Sequence, residues 1–127
     1  MVFESELDGH KLIMDAPGAA GGKDKGPRPK PLMLSALAGC TGMDVVVMLN
    51  KMRVDLKGFN INIEAETTDE VPKHYKKIKV IYEFLGTDLP KDKLEKAVEL
   101  SREKYCGVSH VYKQVIEMDY EIRVKES

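Results

Sequence analysis

An excess of charge of either sign is absent from this chain: 20 Lys and Arg stand against 21 Asp and Glu, giving a formal net charge of -1 with the signs interspersed. A surface so balanced offers no electrostatic footprint for nucleic acid or for an anionic membrane, and neither is expected as a partner. Cysteine is also scarce. Only Cys40 and Cys106 are present, far apart and in no CxxC pair, and the three histidines, His10, His74 and His110, are scattered. A zinc site therefore lacks its local ligand spacing, and no metal or cofactor is expected. Repeats and long low-complexity segments are missing too. No basic segment followed by an apolar core and a small-residue cleavage site opens the chain, and Asp44 and Asn50 break the longest apolar run. These absences point to a cytoplasmic protein whose two cysteines work as thiols.

What is present is enough apolar material, 43% of 127 residues, for a single core, and the expectation is one domain over residues 1–127. Asp8-Gly9 separates two short strand-like runs in "FESELDGHKLIMD" and favours the positive φ values of a two-residue hairpin turn. Residues 16–30, rich in Gly, Pro and Lys and without an apolar period, read as a flexible surface loop.

Pro31 suits the first turn of a helix that runs to Lys51 or Arg53. Its apolar positions, among them Leu34, Leu37, Ala38, Met43, Val45, Val46, Val47 and Leu49, cover more than one stripe. A helix apolar nearly all round must be covered nearly all round, and a domain this small has too little material to do it. A second subunit is the expected cover, which predicts a homodimer.

Two runs then alternate, Phe59, Ile61, Ile63 and Ala65 in the first and Ile78, Val80, Tyr82 and Phe84 in the second, with a turn at Glu70-Val71-Pro72 between them. Thr87 or Asp88 is placed to cap a helix that carries Pro90 in its first turn and Leu94, Ala97, Val98, Ser101 and Tyr105 at helical spacing. Cys106-Gly107 interrupts it, Ser109 is placed to cap a short helical turn to about Lys113, and Ile116, Met118, Tyr120, Ile122 and Val124 alternate in a last strand. Strands and helices segregated in this way predict an α+β domain with an antiparallel sheet packed on a long central helix.

Cys106 sits between two helical segments, where a helix N-terminus favours a thiolate and where Lys104 and His110 are near in sequence; plain packing of the junction explains it as well. Cys40 lies mid-helix in "MLSALAGCTGMDVVVML" with Asp44 one turn later on the same face. Burial and a neighbouring carboxylate both work against an activated thiol, so a positive group must come from elsewhere. The only arginine before the helix is Arg28, in the loop. Gly39 and Gly42 weaken the helix and mark a close approach by backbone, substrate or a partner helix. Asp44, if buried, needs a partner, a polar cleft or a serine hydroxyl.

Together, "PLMLSALAGCTGMDVVVMLNKMR" and "SREKYCGVSHVYK" resemble the two cysteine motifs of the OsmC/Ohr family, the osmotically inducible and organic hydroperoxide resistance proteins. The resemblance covers most of the chain. It implies an OsmC-like fold in an intertwined homodimer, with active sites at the subunit interface. By motif position it implies that Cys40 is the nucleophile oxidised by a hydroperoxide or another small electrophile, and that Cys106 resolves it as a disulfide reopened by a dithiol reductant. The family's glutamate before the long helix is replaced here by Pro29-Lys30-Pro31, and the N-terminal strands carry no arginine, which leaves Arg28 as the substitute electrostatic helper. Asp44 in "GCTGMDVV" is closer to a YhfA-like branch. The function implied is a thiol-dependent peroxidase. The alternative is a non-enzymatic homodimer that binds a small apolar ligand at its interface, with redox-sensitive cysteines.

Overall fold

The computed structural model describes residues 1–126. The chain falls into two compact units, one over residues 1–36 and one from Leu37 onward.

In the first unit β1 (Phe3–Leu7) and β2 (His10–Met14) form an antiparallel hairpin in which Leu7 faces His10. Asp8 and Gly9 have φ of 51° and 84°, the pair of positive values that the Asp-Gly dipeptide predicts for so tight a turn. The segment that follows is not loose chain. The Asp15 carboxylate accepts hydrogen bonds from the backbone N–H of Ala16 (2.8 Å), Lys23 (3.0 Å) and Lys25 (3.1 Å), and Asp15 N–H donates to the Pro27 carbonyl (3.2 Å). A 3-10 turn at Gly18–Ala20 folds the loop back on this hub. Gly22 passes so close that a Cβ there would stand 2.0 Å from the Ala16 carbonyl oxygen.

The N–H groups of Lys25 and Lys23 hold the Asp15 carboxyl below its ordinary range, against a smaller opposing effect of burial. A lowered carboxyl stabilises the folded loop above its ordinary pKa and loses that contribution as pH falls through the lowered value. Hydrogen exchange should therefore find the Lys23 and Lys25 amides protected at neutral pH in the native chain and open in Asp15→Ala. The two proteins should converge in strong acid.

α1 (Leu32–Lys51) carries the chain into the second unit. It ends where Arg53 takes a φ of 60°, after Met52 N–H has bonded the Met48 carbonyl. β3 (Gly58–Thr67), β4 (Tyr75–Gly86) and β5 (Glu117–Glu126) form a sheet of order β3-β4-β5. β3 and β4 pair antiparallel, with Phe59 opposite Phe84 and their rings stacked 4.8 Å apart.

The sheet differs from the antiparallel expectation at one edge, since β5 joins β4 in parallel, Ile78 opposite Met118. A strand that returns through helices arrives in the same direction it left, and here the crossover is α2 (Lys91–Leu100), a π-helical turn (Ser101–Tyr105) and α3 (Gly107–Tyr112). Pro90 itself stands at the start of α2, with no side-chain cap. The α+β class stands.

The core of this unit joins Leu37, Val45 and Leu49 of α1, Ile78, Tyr82 and Phe84 of β4, and Leu94, Ala97 and Val98 of α2, all buried. α1 buries only the stripe Leu37, Thr41, Val45 and Leu49; Met43, Val46 and Val47 on its other side are exposed. By length and composition alone the helix could cross a membrane.

Candidate functional site

The site is built where α1 meets the crossover, and the local geometry of the crossover makes it possible. In an α-helix, residues five apart point in directions about 140° different, because each turn takes 3.6 residues. The π-helical turn closes instead through Cys106 N–H donating to the Ser101 carbonyl (2.8 Å), which brings residues 101 and 106 towards one side. Both then meet α1. The Ser101 hydroxyl donates to Asp44 Oδ2 (3.0 Å), and the thiol of Cys106 reaches that of Cys40. The Sγ atoms of Cys40 and Cys106 and a carboxylate oxygen of Asp44 all lie within 4.8 Å of one another.

Behind this cluster a buried chain of hydroxyls ties three elements together. Thr41 Oγ1 hydrogen-bonds Tyr82 OH (2.8 Å) on β4 and Ser101 Oγ (2.7 Å). Thr41, Tyr82 and Ser101 are almost wholly buried, so each polar atom needs the partner it has. Burial raises the Tyr82 phenol above its ordinary pKa, with the Thr41 hydrogen bond and the positive charge of Arg102 opposing it. Arg102, on the π turn, lays its guanidinium 3.9 Å from the centre of the Tyr120 ring. Ser101→Ala would leave both Asp44 and Thr41 short of a partner. A loss of about 1–3 kcal/mol is expected, the cost of an orphaned buried polar group, and urea unfolding would measure it.

The environments of the two cysteines are unlike. Cys40 is half-buried and Cys106 is buried. Cys106 caps α3 with its sulfur, which accepts a hydrogen bond from Ser109 N–H (3.4 Å), so the cap is Cys106 and not Ser109 as the sequence predicts. The expectation that the helix N-terminus activates this thiol is outweighed. Burial pushes Cys106 above the ordinary thiol range despite the Ser109 hydrogen bonds, and the neighbouring Cys40 adds to the rise.

Gly42 allows α1 to lie close to β3, where a Cβ would come 3.1 Å from Ile61 Cδ1, whereas Gly39 faces open space. With Ala38, Met43, Val46, Val47 and Phe59 these residues line an apolar groove of about 580 Å³.

Arg28 belongs to the first unit, where its guanidinium pairs with Asp24 and donates to the Gly26 carbonyl (3.3 Å). Sequence reasoning missed Thr41, Tyr82, Ser101 and Arg102 as members of the site. Ser101 was the visible clue, a polar residue on the core face of a helix.

Residues 22–121 match the OsmC-like protein family. The chain belongs to the OsmC-like family. Its relatives include Protein YhfA of Escherichia coli K12, 33% identical over 116 residues that span 91% of this chain and 84% of YhfA. Among solved structures, a hypothetical protein from Aquifex aeolicus VF5 superposes with a TM-score of 0.86 at 29% identity, covering 99% of this chain and 89% of that one. An organic hydroperoxide resistance protein OsmC from Legionella pneumophila superposes with a TM-score of 0.68 at 17% identity, over 97% of this chain and 95% of its own, and so shares the fold. The OsmC-like chain thus has the fold of proteins named for hydroperoxide resistance, with an acid, Asp44, one turn after the first cysteine of its site.

Proposed function

We propose that this OsmC-like protein is a cytoplasmic, antioxidant thiol peroxidase that reduces organic hydroperoxides through Cys40 and Cys106. The observation that carries the reading is the meeting of the two sulfurs, 66 positions apart in sequence, within 4.8 Å inside one chain. The more accessible Cys40 thiolate attacks the distal peroxide oxygen; the O–O bond breaks, Cys40 becomes a sulfenic acid, and the alkoxide leaves and takes a proton as the alcohol. Cys106 then forms the S–S bond while the sulfenic hydroxyl leaves as water with the thiol proton of Cys106. Burial favours that protonated form, which suits a resolving group that must deliver both sulfur and proton. A dithiol reductant returns the pair to thiols by exchange.

Arg28 is the proposed electrostatic helper from the loop, a role that requires it to exchange its Asp24 partner for the reacting oxygen. A second copy of the chain is the proposed cover for the exposed Met43, Val46 and Val47 and for the groove beside them, with the apolar part of an organic hydroperoxide received at that interface. Sedimentation should give twice the 14.3 kDa chain mass, and Val47→Asp should shift it towards the single-chain value.

The activity is tested by following cumene hydroperoxide with dithiothreitol as reductant. Saturable consumption, with two thiols lost per chain when the reductant is withheld, is expected. Consumption no faster than without protein would sink the reading.

A further inference from the structure

The resolving chemistry leaves Asp44 unexplained. Its carboxylate takes no part in the steps at the two sulfurs, yet it lies beside both thiols and is held there by the Ser101 hydroxyl. We propose that Cys40, Asp44 and Cys106 form a three-donor site for a thiophilic divalent cation, zinc foremost. The inference goes beyond the peroxidase reading and does not rest on it.

The donor set argues for the ion class. Two sulfurs and one carboxylate oxygen suit zinc or cadmium and are poor ligands for magnesium or calcium, which take oxygen alone. The geometry is close to what such an ion needs. With Zn–S of about 2.3 Å and Zn–O of about 2.0–2.2 Å, donors around a tetrahedron stand about 3.5–3.8 Å apart. The three donors already lie within 4.8 Å of one another, so small rotations of the half-buried Cys40 and Asp44 side chains close the site on the buried Cys106.

The outer contacts are those of a prepared site. Ser101 fixes one carboxylate oxygen of Asp44, Thr41, itself held by Tyr82, fixes Ser101, and Ser109 N–H fixes the Cys106 sulfur. Partners of this kind orient ligands and tune a metal. Sequence spacing could not reveal the set, because one ligand arrives from a different helix 62 positions after Asp44.

Binding replaces two thiol protons, which go to solvent, with two metal–sulfur bonds and one metal–oxygen bond; no electron moves. The fourth tetrahedral position is left for water or a small anion. Because the metal occupies both sulfurs, the loaded state and the peroxidatic state exclude each other. The ion would hold the thiols in reserve against oxidation.

The test is cadmium titration of the reduced, chelator-washed full-length protein. It is read by the ultraviolet cadmium–thiolate charge-transfer band and by calorimetry, with no peroxide present. One ion per chain with a two-thiolate band is expected. Cys106→Ser should halve the band. Asp44→Asn keeps a shape that can still accept from Ser101 and both thiols, and should weaken binding by at least the 10–100-fold that loss of an outer-shell partner costs. Circular dichroism confirms that the variants fold. Absence of the band, a band unchanged in Cys106→Ser, or native affinity in Asp44→Asn would each overturn the proposal. Since peroxidase activity is measured separately on metal-free protein, failure of either reading is distinguishable from failure of the other.

Discussion

Cys40→Ser should abolish hydroperoxide turnover, a fall of about 10⁴–10⁶-fold, the scale of losing a nucleophile outright. A serine hydroxyl in the same place lacks the polarisable, ionisable sulfur that attacks the peroxide bond, and the one other thiol, Cys106, is buried. Cys106→Ser should behave differently. The first equivalent of peroxide is still consumed, because Cys40 is intact, but the sulfenic acid then has no internal partner and accumulates. The substitution is mild structurally, since a serine oxygen can accept the Ser109 N–H that the Cys106 sulfur now caps. A dimedone-type sulfenic acid trap should label Cys40 in this variant and label the native protein far less. Equal loss of the first turnover in both variants would mean that the two cysteines do not divide the labour in this way.

The largest structural effect is expected at Phe84. Its side chain is fully buried on the middle strand of the sheet and stacks on Phe59 across the β3–β4 pair. Phe84→Ala removes that stacking and leaves a cavity in the core. The expected cost is about 3–5 kcal/mol, seen as a fall of roughly 10–20 °C in Tm for a domain of this size. Tyr82 lies two residues earlier on the same face of β4, so the loss should also loosen the Tyr82–Thr41–Ser101 chain that backs the cysteines. Measuring Tm beside the rate of Cys40 alkylation separates the two consequences. A drop in Tm below a few degrees would show that Phe84 is not the packing centre described.

Much of this architecture is legible in the sequence because it follows local rules. Asp8-Gly9 demands positive φ values and obtains them; Pro31 precedes α1; Phe59, Ile61 and Ile63 alternate and lie on one face of β3. The direction of β5 is not local. Its alternation is the same in either sense, and only the crossover through α2 and α3 makes it parallel to β4.

The site divides in the same way. Cys40 and Asp44 are one helical turn apart and can be paired from sequence, and the half-buried Asp44 finds a serine hydroxyl as its partner. The identity of that serine depends on a widened turn that no spacing rule anticipates, since Ser101 and Cys106 would diverge in an ordinary helix. Tyr82 reads as one more inward strand residue until its hydroxyl is seen against Thr41. Arg28 carried a clue of its own, because Asp24 stands four residues earlier and supplies the partner it takes.

The central claim is that the two sulfurs act on each other within one chain. Its most direct measurement is peptide mass mapping after one equivalent of organic hydroperoxide, with non-reducing gels to establish which chains are joined. The account predicts a peptide pair joined through Cys40 and Cys106 in a protein that still migrates as a single chain. Free thiols at both positions, or disulfides that join Cys40 of one chain to Cys40 of another, would contradict it.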